Sequence, residues 1–368
     1  MESLSREMEK GVEDGVFPGG VLLVSVDCRI EFFEAFGVSD IYSGKRVEKR
    51  SVFDLASLTK SLATTLALSG LISEGTIRLD QRVSSVISAF KDTEKDSLTV
   101  EQLLRHTSGL PAHRPYYETL VLHENESREG VLHGLLAGEP LLRSPGRDCL
   151  YSDIGFMILE WLVKEAAGER LDRFLDKEIC TPLQIRDLFF IDLFSEKPAA
   201  ENQKRENRIV ATEKCSWRRK MLCGEVHDDN AWAAGGIGGH AGLFGDAGSV
   251  LKLAREILKA LQGRETHVLN TMVIREFVKK KGPFSHVAGF DTPSGQNPSA
   301  GRYFSSSSIG HLGFTGTSFW IDPENSVIVI LLTNRVHPSR ENNAIRLFRP
   351  RLHDLVMERL LKNREECK

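Results

Sequence analysis

The chain has 368 residues, 41% of them hydrophobic and 27% charged, the balance of an ordinary globular protein with no bias towards disorder. That length exceeds what a single core usually serves, so two lobes or a discontinuous domain are expected. The net charge is −3, and the basic clusters Arg218-Arg219-Lys220 and Lys279-Lys280-Lys281 are short and separated. They read as solvated surface and exclude the continuous basic face that a nucleic-acid partner needs.

In chain order, residues 2–15 are charged and end at Gly15. Two β-rich runs, Val21 to Val26 and Ile30 to Phe36, flank Asp27-Cys28-Arg29 and read as a hairpin. From Ser57 the pattern turns helical, with Leu58, Leu62 and Leu66 at four-residue spacing and Gly75 as its stop. Further helices are expected at about 99–106, 128–138, 153–167, 171–180, 246–262 and 268–281. The polar stretch 195–220 reads as a mobile surface excursion. Strands return at Ser318 to Ile321 and Val327 to Leu332, joined through Asp322-Pro323-Glu324-Asn325, and residues 339–363 close the chain as an amphipathic helix.

Strands at both ends with helices between them imply an α+β fold: one antiparallel sheet built from both termini, flanked by helices, with an inserted helical lobe. The expected division is a single catalytic domain over 1–368, with a sheet lobe of 1–55 and 240–368 and a helical lobe of 56–239. Six cysteines, at 28, 149, 180, 215, 223 and 367, form no C-x-x-C pair and no zinc spacing, and read as scattered free thiols. No segment reaches the ~18 apolar residues that span a bilayer, and the N-terminus carries no signal-peptide core, so a cytoplasmic protein is expected. Nothing in the sequence sets an oligomeric state.

Ser57-Leu58-Thr59-Lys60 is the first chemical constellation. Residues three apart share a helix face, so hydroxyl and amine can meet without tertiary help. A start position adds unpaired N–H groups and the positive end of the helix dipole, both favourable to an oxyanion. The lysine serves as a base if burial or a neighbouring cation lowers its pKa from ~10.4 towards neutrality. Taken alone, S-x-x-K also describes a capping serine followed by an exposed lysine. The apolar run Leu62 to Leu68 after Lys60 favours a central, buried helix.

Two further motifs follow. Tyr151-Ser152-Asp153 stands at a loop-to-helix junction, where Ser152 or Asp153 is also a natural N-cap. Gly310-His311-Leu312-Gly313-Phe314-Thr315-Gly316-Thr317 precedes the C-terminal strands, its glycines permitting close backbone approach to a ligand. Together, in this order, these motifs resemble those of the penicillin-recognising serine hydrolases: class C β-lactamases, D,D-peptidases and related carboxylesterases. Residues Leu103 to Pro111 and Gly235 to Phe244 look similar as well, and the resemblance spans roughly 15–350.

The resemblance implies Ser57 as nucleophile, Lys60 as its proton acceptor and Tyr151 as the shuttle to the leaving group. It also implies substrate-binding roles for Asp153, His311 and Gly313, and an oxyanion hole made by the backbone N–H groups of Ser57 and Phe314. Two departures stand out. The family's usual Y-x-N is Tyr151-Ser152-Asp153, so a carboxylate replaces an amide. His311 replaces a lysine, substituting a group that titrates near neutrality for a fixed cation on a substrate carboxylate.

His227, His240 and Asp228-Asp229 match no zinc pattern, so no metal and no cofactor are expected. Arg335 reads either as a partner for a substrate carboxylate or as a salt bridge to the closing helix. The functions this implies are hydrolysis of a small ester or amide through an acyl-enzyme, action on peptidoglycan fragments as an amidase or D,D-peptidase, weak β-lactamase activity, or a non-catalytic binding role on the same scaffold. The partner is then a small-molecule ester, amide or muropeptide, with loops 112–127 and 282–308 setting specificity.

Overall fold

Eleven strands follow one another as β1 (Gly19–Val26), β2 (Arg29–Asp40), β3 (Lys45–Arg46), β4 (Phe53–Asp54), β5 (Leu188–Phe190), β6 (Lys214–Cys215), β7 (Lys220–Met221), β8 (Leu243–Gly245), β9 (Ile309–Leu312), β10 (Ser318–Asp322) and β11 (Val327–Thr333) in a computed structural model that describes residues 2–195, 205–281, 286–295 and 298–366. Six of them form one antiparallel sheet in the order β3-β2-β1-β11-β10-β9. First and last thirds of the chain meet where Val24 of β1 faces Val329 of β11. The β1–β2 turn works as expected: Asp27 and Cys28 both take positive φ, 47° and 64°, the backbone of a two-residue turn that follows the twist of the strands.

Both sheet faces are covered, which explains why β1 and β11 read as unbroken apolar runs rather than alternating ones. Val21 and Leu23 of β1, with Ile328, Ile330 and Leu332 of β11, join the main core, which contains Leu253 and Ile257 of the helix Ala247–Leu261. Leu22, Val24, Val329 and Leu331 face the other way, against Leu4 and Met8 of an N-terminal helix and Phe348 and Leu352 of the C-terminal one.

That N-terminal helix, Glu2–Glu13, is hidden in the sequence by its charges, although Leu4, Met8 and Gly11 already mark a buried stripe. The closing helix runs over Ile345–Glu366 rather than from 339, and Asn342 turns the chain just ahead of it, its Oδ1 accepting from Ala344 N–H at 3.1 Å. Helix Asp153–Ala167 has its expected bounds, with Gly168 at φ 69° as its left-handed stop. The expected helix at 268–281 shortens to Thr271–Phe277.

A second sheet, β4-β8-β5, has no counterpart in the sequence reading, and β5 falls within the stretch assigned there to a helical lobe. The expectation of a mobile excursion over 195–220 requires correction for its described part, 205–220, since 196–204 lie outside the described residues. Ile209, Val210 and Ala211 are buried, and Arg205 pairs with Asp187 at 3.2 Å. Arg218 is not solvated surface either. Its guanidinium donates to the carbonyls of Val226 and His227 and to Asp229 at 2.7–2.9 Å, 4.7 Å from the Trp232 ring centre. Arg205 and Arg218 find partners within the fold, so charge density alone misreads the segment.

Candidate active site

Every residue from 51 to 69 is buried except Ser57. Its presentation begins with Asp54, whose carboxylate accepts from Ala56 N–H at 2.8 Å and from His227 N–H at 2.7 Å. Ala56 is thereby held at φ 48°, a left-handed conformation costing an L-residue about 1–2 kcal/mol, and the chain turns sharply so that Ser57 stands at the mouth of the helix. The first turn is closed by Lys60 N–H donating to Ser57 O at 3.1 Å. Lys60–Thr64 then form a wider π-type turn, with Thr65 N–H donating to Lys60 O, before the α-helix Thr65–Ser73.

Lys60 is fully buried. Its Nζ donates to Ser57 Oγ at 3.1 Å and to the carbonyl of His240 at 2.9 Å, and forms an ion pair with Asp153 Oδ1 at 2.7 Å. Asp153 is set by its helix start. Ser152 is the N-cap, its Oγ accepting from Gly155 N–H at 3.1 Å, which leaves the carboxylate free to face the lysine. His113 lies 3.8 Å from the other carboxylate oxygen.

This pair changes the electrostatics expected from the sequence. Burial would draw Lys60 down, but Asp153 and Tyr151 outweigh it and hold the amine above its ordinary value, as the ammonium. Burial would raise Asp153, but Lys60 and His113 outweigh it and keep the carboxyl ionised. The lysine is therefore not lowered towards neutrality in the resting protein, and the residue responsible is the carboxylate that replaces the family's amide.

Tyr151 completes the group. Its ring centre is 5.0 Å from Lys60 Nζ. Burial raises its phenol, opposed by the charge of Lys60 and by hydrogen bonding to Lys60 and Ser57. Behind it His106 packs at 4.6 Å between ring centres. His106 Nδ1 accepts from Ser152 N–H at 3.0 Å, and burial takes the imidazole well below its usual pKa, so it is neutral. This support belongs to the stretch Leu103 to Pro111, whose role spacing alone does not disclose.

The strand side of the site comes from β9 and the loop after it. His311, on edge strand β9, has its ring 6.0 Å from that of Tyr151 and its Nδ1 2.9 Å from Leu312 O. Burial lowers its pKa in spite of Asp291, so His311 stands there neutral and the cationic grip expected from the sequence is not what this environment favours. The following loop is tied to the residues just before Ser57. Thr315 Oγ1 donates to Asp54 O at 2.7 Å, and Thr317 Oγ1 donates to Leu55 O at 3.1 Å.

A Cβ at Gly313 would lie 1.9 Å from Thr317 Oγ1 and 2.8 Å from Leu55 O, so only glycine allows this close approach. Phe314 is half exposed. Among the hydrogen bonds of the described residues, neither its N–H nor that of Ser57 has an acceptor.

Arg335 does not form the salt bridge to the closing helix that its sequence suggests. Its guanidinium donates to Phe314 O at 2.7 Å and to Arg340 O and Asn342 O at 3.0 and 2.5 Å, and it lies 4.5 Å from the Phe314 ring centre. It braces the loop from behind. His227 and His240 meet separate carboxylates, Glu213 at 3.0 Å and Asp228 at 2.9 Å, and no group of three or more potential ligands that could hold a metal occurs among the described residues. The Gly-rich stretch instead backs the Ser57 helix, where Gly239 O accepts from Thr64 Oγ1 at 2.7 Å.

A family model described as Beta-lactamase matches residues 4–349. The chain is 29% identical over 359 residues to a putative D-alanyl-D-alanine carboxypeptidase of Escherichia coli (strain K12), covering 92% of this chain and 82% of the relative. It is 31% identical over 363 residues to an N-acetylmuramyl-L-alanine amidase of Bacillus subtilis (strain 168), covering 92% and 81%. Among solved structures, the octameric penicillin-binding protein homologue from Pyrococcus abyssi superposes with a TM-score of 0.73 at 16% identity, over 97% of this chain and 77% of that one.

Proposed function

Because the chain belongs to the beta-lactamase family of serine hydrolases, we propose that Ser57 attacks a small ester or amide and carries the acyl group as a covalent intermediate. The observation that carries this is the 3.1 Å contact between Ser57 Oγ and a fully buried Lys60 amine, at the one point of the segment open to solvent. In the proposed reaction the Lys60–Tyr151 pair first loses a proton to solvent, and Ser57 Oγ then bonds to the carbonyl carbon while its own proton passes to the deprotonated pair. The carbonyl oxygen, now an anion, is held by the N–H groups of Ser57 and Phe314, each worth about 2.7–4 kcal/mol of barrier in sites of this kind. Tyr151 returns the proton to the leaving group, and water then releases the acyl group by the same route in reverse.

A second reading, cleavage of D-alanyl or muramyl amide bonds in peptidoglycan fragments, is supported by the names of the two relatives. The electrostatics favour the first. A carboxypeptidase must grip the free carboxylate of its substrate, and here the strand residue is a neutral His311 while the loop-helix residue, Asp153, is a carboxylate already paired with Lys60, so neither offers that group a cation. The test is a side-by-side assay of a p-nitrophenyl ester, a D-alanyl-D-alanine peptide and the chromogenic cephalosporin nitrocefin. Ester turnover well above the other two is expected, and faster release of D-alanine than of nitrophenol would reverse the choice.

A further inference from the structure

Next to Tyr151, the fold assembles a second nucleophile that the serine chemistry does not use. Cys149 is a partly exposed free thiol. Its Sγ lies 3.5 Å from Nδ1 of His286, and Nε2 of that ring lies 3.0 Å from Asp291 Oδ1. The three residues come from separate parts of the chain, the loop before Tyr151 and the segment ahead of β9. Asp291 is fixed to that strand by paired backbone bonds with Gly310, at 2.8 and 3.0 Å. The side chains of His286 and Asp291 keep 23% and 19% of their surface exposed, so the group opens to solvent.

The arrangement has the logic of an activated thiol: sulfur beside an imidazole whose far nitrogen is oriented by a carboxylate. Burial draws His286 down, but its bonds to Asp291 and Cys149 outweigh this and lift it to about 10. At neutral pH a protonated ring therefore faces the sulfur, with one N–H directed at Asp291 and the other at Sγ. The carbonyl of Arg105, 3.6 Å from Sγ, is the competing partner. The cluster adjoins the serine centre, since the His286 ring is 6.3 Å from that of Tyr151 and 5.4 Å from that of His106.

We propose that Cys149, with His286 and Asp291, is a thiol-modification site at which a low-molecular-weight disulfide forms a mixed disulfide and shuts the serine centre. The Cys149 thiolate attacks one sulfur of the incoming disulfide, whose S–S bond breaks. The new S–S bond joins Cys149 to half of the reagent, and the other half leaves as a thiolate that takes up a proton. The disulfide is itself the oxidant. The adduct crowds the space between His286 and Tyr151 and displaces the phenol. This consequence for activity rests on the reading of Tyr151 as part of the serine centre, whereas the thiol chemistry does not.

Full-length protein is treated briefly with iodoacetamide and the cysteine-containing peptides are quantified by mass spectrometry. Cys149 is expected to react at least about ten-fold faster than Cys28 and Cys223, and about ten-fold more slowly in His286→Gln. Oxidised glutathione should then abolish ester turnover in step with modification of Cys149, reversibly by dithiothreitol, while Cys149→Ser keeps basal turnover and resists the reagent. Labelling of Cys149 no faster than the other two in the wild type, which needs no variant to fold, overturns the proposal, as does equal inhibition of Cys149→Ser. If Cys149 reacts as expected but Ser57 takes up no fluorophosphonate in untreated protein, the serine reading fails and the thiol site stands.

Discussion

In the proposed reaction Asp153 decides how the centre handles protons. With the carboxylate 2.7 Å from the Lys60 amine, the base is stored as an ammonium, and burial keeps Tyr151 as a neutral phenol. Both groups have pKa values raised above their ordinary range, so their base forms grow as pH rises. It follows that kcat/KM for a neutral ester climbs from pH 7 into the alkaline range, and that Asp153→Asn, which removes the charge holding the proton on Lys60, moves the climb to lower pH. A profile that is level or falling above pH 7, or one unmoved by the substitution, contradicts the assignment.

The Ser57-Lys60 spacing was legible in the sequence because it is local, two side chains one helical turn apart. The Asp153–Lys60 pair was not, since it joins two helix starts about ninety residues apart and nothing in Tyr151-Ser152-Asp153 says which of its residues caps. Ala56 was invisible for a related reason: an alanine gives no sign that Asp54 and its neighbours hold it at positive φ.

At the scale of elements, the centre depends on two backbone segments kept in contact, the turn 54–57 and the loop 313–317. Gly313→Ala places a methyl group against Thr317 Oγ1 and Leu55 O and must push the segments apart, taking the Phe314 amide with it. The expected result is a loss of about 10²-fold or more in kcat for ester hydrolysis, the usual effect of removing one oxyanion donor, with a lower Tm. Near-wild-type kcat would show that Phe314 does not serve the reaction.

The glycines of this loop announced close approach but not its target. The long strands β1, β2, β10 and β11 were readable from β-rich runs of four or more residues, whereas β4, β5 and β8, two or three residues each, are too short to show a period. Segment 205–220 was misread because Arg205 and Arg218 are charges whose partners lie elsewhere in the fold.

The whole molecule divides its labour between the two faces of the sheet. One face carries the core beneath Ser57, and the other is sealed by the first and last helices, where Phe348 packs edge-on to Phe17 at 5.2 Å. Phe348→Ala should therefore destabilise the protein by about 3–5 kcal/mol, read by urea unfolding, while kcat per folded molecule stays unchanged. A fall in kcat at constant stability would mean that the far face reaches the site.

That both termini build one sheet followed from the placement of apolar runs at the chain's ends. That the charged residues 2–13 cover it did not, because few of them, Leu4, Met8, Gly11 and Val12, face inward.

In the proposed reaction Ser57 becomes acylated with help from Lys60 and Tyr151. The most direct measurement is mass spectrometry of the protein after reaction with a fluorophosphonate probe, beside ester turnover of the Ser57→Ala and Lys60→Ala variants. One adduct is expected, on Ser57, absent from Ser57→Ala and slow in Lys60→Ala, with turnover in both variants down by about 10³-fold or more and their folded structure retained. An unlabelled Ser57 in folded wild-type protein, or comparable turnover in wild type and Ser57→Ala, would contradict acylation at Ser57.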